Sequence, residues 1–170
     1  MRRLTLLSTA LLTAVATANL ASAEDKPLTG DLAKLQGRWS AEVEIRPGVK
    51  WSWLYRIDGS QVRIRTSGTD EKPLEFKEEF RIDESARPHK TIDLVKRSGP
   101  GDRAMPDLKA IYAFQGDDIL KICQPNSLDG KNRPTEFGPE LSAEEANSNG
   151  PSTLTLTRLK GDAENDLKNP

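Results

Sequence analysis

From Trp39 the chain alternates with a period of two. Trp39, Ala41, Val43 and Ile45 share one parity, Ser40, Glu42, Glu44 and Arg46 the other, and Pro47-Gly48 ends the run. Side chains of a strand point alternately to its two faces, so this pattern predicts a half-buried strand. Trp51, Trp53, Tyr55 and Ile57 repeat it, Asp58-Gly59 marks a turn, and Val62 and Ile64 return, which predicts a hairpin. Leu74, Phe76, Phe80 and Ile82 share a face in the next run, opposite Glu75, Lys77, Glu79 and Arg81, and Glu78 breaks the apolar parity. Thr91 to Val95, Lys109 to Phe114, Ile119 to Cys123 and Thr153 to Leu159 read as four further strands. Ser98 to Pro106 and Gln124 to Ser152 read as loops, and Asp31 as the cap of a short helix over Leu32 to Gln36.

About eight strands at short spacing with one short helix predict an all-β sandwich or an up-and-down antiparallel barrel. Short turns between neighbours favour the barrel, and closure removes the edge strands that a sandwich has to protect. Trp39, Trp51, Trp53, Tyr55, Phe76 and Phe80 all fall on the inward parity. Six large rings in a barrel only just wide enough for side chains predict a filled interior, or a small pocket at one end.

The first 23 residues do not belong to this pattern. Met1-Arg2-Arg3, the apolar run Leu4 to Leu20 and Ala21-Ser22-Ala23 make a basic region, an apolar region and an A-x-A cleavage signal. Thr, Ser and Asn dilute the run below what a membrane-spanning helix needs, so a cleaved signal peptide is expected, with export to the periplasm or the cell exterior. The expected domain spans 24–160, with a disordered tail over 161–170. Removing Arg2 and Arg3 takes the formal charge from −1 to −3 over the remaining 147 residues. Mixed charge of that size argues against nucleic acid as a partner. Arg56, Arg63 and Arg65 lie outward on the hairpin, and Glu75 and Glu79 on the next strand are expected to pair with them.

Cys123 is the single cysteine, so no disulfide can form within the chain, and its place at the end of an apolar strand predicts burial rather than pairing between chains. His89 is the single histidine. One His and one Cys are too few for a tetrahedral zinc site, and no G-x-S-x-G elbow presents a serine nucleophile. Neither a metal, a cofactor nor catalysis is therefore expected.

Gly37-Arg38-Trp39, after a short helix and opening the first strand, resembles the G-x-W signature of the lipocalins. That resemblance implies that Trp39 closes the barrel floor and that an arginine of the last strand packs across it. Arg158 shares its parity with Leu154 and Leu156 and is placed for that role. A second resemblance covers nearly the whole chain. Leu35-Gln36-Gly37-Arg38-Trp39, Pro88-His89-Lys90-Thr91-Ile92-Asp93-Leu94, Ile111-Tyr112, Leu120-Lys121-Ile122-Cys123 and Arg133-Pro134-Thr135-Glu136-Phe137 stand in the order of a lipocalin-like domain family expanded in planctomycete bacteria, which carries no assigned activity. The insert Gly138 to Ser152 departs from that pattern.

Two readings of function follow. In the first, the barrel takes a small apolar or amphipathic ligand, with Trp51, Trp53 and Tyr55 as lining and Glu78 or Arg133 as polar contact. In the second, a filled barrel meets a partner of the cell envelope through its outer face or the 138–152 loop. Asp93, Cys123, Arg133 and Glu136 either gather at the barrel mouth as a clamp or form a network in which Arg133 pairs with Asp93 or Glu136 and pins a loop to the wall. Glu78 is either a polar anchor in a cavity, displaced to solvent by a bulge, or paired with an inward arginine such as Arg158.

Overall fold

The computed structural model describes residues 27–68, 72–125, 132–142, 144–145 and 150–161; the side chain of Ile45 is not described. The signal segment 1–23, all but Gly161 of the expected tail, and parts of the 124–152 loop lie outside the described residues.

One helix, α1 (Gly30–Leu35), precedes nine strands: β1 (Gly37–Arg46), β2 (Val49–Asp58), β3 (Gln61–Ser67), β4 (Leu74–Asp83), β5 (Lys90–Gly99), β6 (Arg103–Met105), β7 (Leu108–Gln115), β8 (Ile119–Pro125) and β9 (Pro151–Arg158). All strand pairings are antiparallel, in the order β4-β3-β2-β1-β9-β8-β7-β5, and β4 also pairs with β5. That last pairing closes eight strands into an up-and-down barrel. β6 is a ninth, short strand laid on the end of β5, in a stretch whose glycines and prolines had signalled only loop.

Inward parity follows the alternation except beyond the bulge in β5. Ala41, Val43, Ile57, Val62, Ile64, Phe80, Ile92, Leu108, Leu120, Ile122, Leu154 and Leu156 fill the interior. Trp53, Tyr55 and Phe76 pack half-buried against them. Tyr112 and Phe114 of β7 join the core, with Tyr112 only 1 % exposed and Phe114 edge-on to it at 6.0 Å.

The helix differs from the expectation in its start. It begins at Gly30, Thr29 takes the N-cap position without a side-chain bond, and Asp31 is buried rather than capping. Gly30 has φ +61°, and a Cβ there would lie 2.7 Å from the Glu84 carboxylate, which accepts the Asp31 N–H at 2.9 Å.

The seam between β1 and β9 is short. Only Trp39 with Arg158 and Ser40 with Thr157 are in register there. Further along β9, Thr153 bonds instead to the returning loop: its N–H donates to the Pro139 carbonyl at 2.8 Å, and its carbonyl accepts from Leu141 N–H at 2.7 Å. The Leu141 side chain packs against the core from that position.

Candidate functional site

At one end of the barrel the L-Q-G-R-W segment turns α1 into β1. Gly37 holds φ +105°, a conformation that side-chain-bearing residues rarely adopt. Trp39 is fully buried and its indole N–H donates to the Leu35 carbonyl at 2.9 Å. The Arg158 guanidinium lies 4.0 Å from the Trp39 ring centroid and donates to the carbonyls of Gln36 (2.7 Å), Lys34 and Asp117 (3.0 Å). An arginine plane covers the indole face while its fork satisfies carbonyls that the end of α1 leaves without helical partners. Gln36 adds a second tie, accepting from Gly59 N–H at 2.7 Å and donating to the Gly59 carbonyl at 3.1 Å, so the β2–β3 turn is fastened to the helix.

Beside this closed end sits a polar cluster centred on Asp31, which sequence reading had placed only as a helix cap. The Asp31 carboxylate accepts from Tyr112 Oη–H at 2.9 Å and from Lys90 Nζ at 2.5 Å. Burial first, and the Asp31 bond second, push the Tyr112 phenol above its usual range. Lys34 lies over the Phe114 ring at 5.3 Å and pairs with Asp117 at 2.9 Å, which holds the Asp117 carboxyl below its usual value. A shallow groove of about 440 Å³ runs over this cluster, edged by Lys34, His89, Lys90 and Phe114. Tyr112 lay within a family-like motif, but its partner stands 81 residues away.

Asp93, Cys123, Arg133 and Glu136 do not gather at the barrel mouth. Asp93 and Cys123 are on the outer wall, because Ile92, Leu94 and Ile122 take the inward parity. Arg133 lies against that wall, donating to Asp93 at 2.6 Å and to the Ala110 carbonyl at 2.6 Å. The fully buried Cys123 Sγ accepts from Gly138 N–H at 3.3 Å and faces the Glu136 carbonyl at 3.7 Å. The Glu136 side chain is exposed. Phe137 meets His89 edge-on at 5.2 Å. Arg133 to Gly138 is thus a strap tied to β5 and β7 by Arg133 and to β8 by Cys123, and Arg133 holds the outer wall.

Among the described residues, Glu78 and Arg97 form a charged pair facing the interior. Glu78 is 5 % exposed and its Oε1 accepts from Arg97 Nε at 2.8 Å. Its partner is therefore Arg97 and not Arg158, and no bulge returns it to solvent. A bulge is present, but on β5: Lys77 faces Ser98 while Glu79 faces Val95, and Lys96 adopts φ +47°. The extra residue shifts the parity of β5, so that Arg97 turns inward where Lys96 would otherwise have done so. Glu78 Oε2 and Trp53 Nε1 are buried without a hydrogen-bond partner among the described residues. Burial, and then the Glu78 charge, push Tyr55 above its usual range. Trp51 stacks obliquely on Trp53 at 6.4 Å between centroids and packs its indole on Gly68.

The cavity enclosed by Tyr55, Glu78, Phe80, Leu94 and Gln124 measures about 30 Å³. A water needs at least about 10–15 Å³ on that measure, so the space takes one or two. Among the described residues no group of three or more His, Cys, Asp and Glu side chains is placed to hold a metal ion.

Comparison of the chain with protein-family models, with curated proteins and with solved structures gave no match. The class rests on the architecture itself: a closed, eight-stranded, sequentially ordered antiparallel barrel with one short N-terminal helix, consistent with the lipocalin-like fold.

Proposed function

We propose that this chain is an exported, non-catalytic member of the lipocalin-like family expanded in planctomycete bacteria, and that it acts through its outer surface on a partner of the cell envelope. The observation that carries this reading is the 30 Å³ interior. Pockets for small molecules measure about 300–1,000 Å³. Export is supported by the three-part signal of Met1 to Ala23. Family membership is supported by the way the five motifs meet: Leu35 to Trp39 with Lys90 and Tyr112 at the closed end, and Arg133 to Phe137 with His89, Asp93 and Cys123 on the wall. The non-catalytic reading is supported by the sequence, which holds a single histidine and no G-x-S-x-G elbow.

The test is a thermal-shift screen against fatty acids, lysolipids and apolar metabolites. This reading expects no rise in melting temperature, whereas a saturable rise contradicts it.

A second reading has its own support in Glu78 Oε2 and Trp53 Nε1. Two buried polar atoms without partners are costly, and a small amphipathic guest bearing a hydroxyl would satisfy either one. On this reading Trp51 and Trp53 move to admit it, and the same screen shows quenching of their fluorescence, abolished by Glu78→Gln.

A further inference from the structure

On the outer face of β1 to β4, Arg56 and Arg63 stand opposed with no ion pair to another described residue, in a row whose end members Arg38 and Lys77 each have a partner. Arg38 stands opposite Arg56, Arg56 opposite Arg63, and Arg63 opposite Lys77. Four cations therefore form one row across four strands, at the interstrand spacing of about 4.8 Å, for a span of about 14 Å. Like charges directly opposite destabilise a sheet.

Of the two acidic residues expected to pair with Arg56, Arg63 and Arg65, Glu75 alone faces one of them. Glu75 is opposite Arg65, and Glu79 is opposite Gln61 and bonded to Lys96 at 2.8 Å. Lys77 meets Asp102 at 3.2 Å in an exposed pair, a contact that weighs little. Arg56 and Arg63 are exposed and make no hydrogen bond or ion pair with another described residue. Two surface clefts flank them, one of about 190 Å³ that includes Leu54, Arg65 and Lys77, and one of about 120 Å³ that includes Asp58 and Gln61.

We infer that this row binds a linear anionic polysaccharide, its sulfate or carboxylate groups chelated between neighbouring arginines. Arginine forks on adjacent strands suit oxyanions, which accept two parallel N–H bonds. The rest of the face selects among polyanions. Its outward residues by register are Ser40, Ser52, Leu54, Gln61 and Ser67 besides the charged ones, and the one ring at the flanking clefts is the half-buried Phe76. A single-stranded nucleic acid needs rings on which to stack its bases. A protein partner needs a desolvated apolar anchor, and half-buried Leu54 is the one apolar side chain on this face. A hydroxyl-rich chain held by its charges needs neither.

The inference deepens the surface reading and rests on it. The two fail separately: a ligand inside the barrel is seen in the thermal screen, whereas the row is read by polymer titration.

The experiment titrates the protein from residue 24 onward with dextran sulfate and with polygalacturonate at low ionic strength. Neutral dextran and a single-stranded DNA of equal charge serve as comparison arms. Binding to at least one of the two acidic polysaccharides is expected, with DNA and neutral dextran much weaker. Arg56→Gln/Arg63→Gln should weaken that binding at least tenfold and flatten its logarithmic salt dependence by about 1.4, since each neutralised charge contributes roughly 0.7 on a flexible polyanion. The same variant should melt no lower than the parent, because it removes two opposed like charges. Arg103→Gln/Lys109→Gln, an equal loss of exposed charge elsewhere, should bind as the parent does. No binding to either polysaccharide, equal weakening by the two variants, or tighter binding to DNA would each overturn the inference.

Discussion

Arg158 does two jobs at one position, and they can be separated. Its plane covers an indole that is fully buried, and its fork answers three carbonyls near α1 and the β7–β8 turn. Arg158→Ala removes both and should cost about 2–4 kcal/mol in urea unfolding, given cation–π and charged hydrogen-bond contributions of that order. Arg158→Lys keeps the charge but not the planar fork, and should recover less than half of the loss. A change below about 0.5 kcal/mol for either variant would remove the closed end from the account. Tyr112 gives a pH-dependent counterpart. Its phenol titrates above its ordinary value of 10 in the folded protein, chiefly through burial and then through Asp31. The folded state therefore holds this proton more tightly than the unfolded chain does. The stability it contributes is whole below pH 10 and falls as pH rises from 10 toward the raised folded value. The advantage of the parent over Tyr112→Phe should be constant between pH 7 and 9. It should then shrink by up to about 1.4 kcal/mol per pH unit above 10, measured by equilibrium unfolding.

Among the elements, β5 and the strap show where alternation ceases to predict. The strands were legible because period two is a local signal, and the meeting of Trp39 with Arg158 was implied by the lipocalin resemblance. Arg97 was not legible. The bulge at Lys96 shifts the phase, so an arginine that reads as outward turns in to meet Glu78, and neither residue names the other in the sequence. For such a buried pair, removing one partner leaves an uncompensated charge, while removing both need not destabilise. Glu78→Met or Arg97→Met alone should cost about 3–5 kcal/mol, and the double variant should return to within about 1 kcal/mol of the parent or exceed it. Equal losses in all three would show that the pair is not the unit described here. The strap was hidden for a different reason, since a close approach of two backbones leaves no periodic trace. A Cβ on Gly138 would fall within 2.0 Å of the Pro151 carbonyl oxygen, so this position accepts no side chain without moving the strap. Gly138→Ala should cost about 1–3 kcal/mol, the usual price of overpacking, and should expose Cys123. Native parent protein should resist a thiol reagent that labels the variant within minutes; equal protection in both would contradict the strap's placement.

At the scale of the molecule, the two resemblances led to a barrel with one plugged end, and the expected crowd of rings led toward a filled interior. The plugged end came from the resemblance and the filled interior from inward parity. What parity could not supply was the direction of compensation on the outside: Arg56 and Arg63 were expected to meet acidic neighbours, and the register set them opposite each other instead. The two-residue turn between Asp58 and Gln61 fixes that register, so the opposition follows from the hairpin signal and not from parity. The described interior cavity takes one or two waters, and Arg56 and Arg63 stand opposed on the outside; these two observations are the basis of the exterior role proposed above. The most direct test is a crystal pressurised with xenon, which enters and marks empty apolar cavities. The account predicts no xenon inside the barrel. Ordered xenon beside Tyr55, Phe80 and Leu94 would show a hollow interior and contradict it.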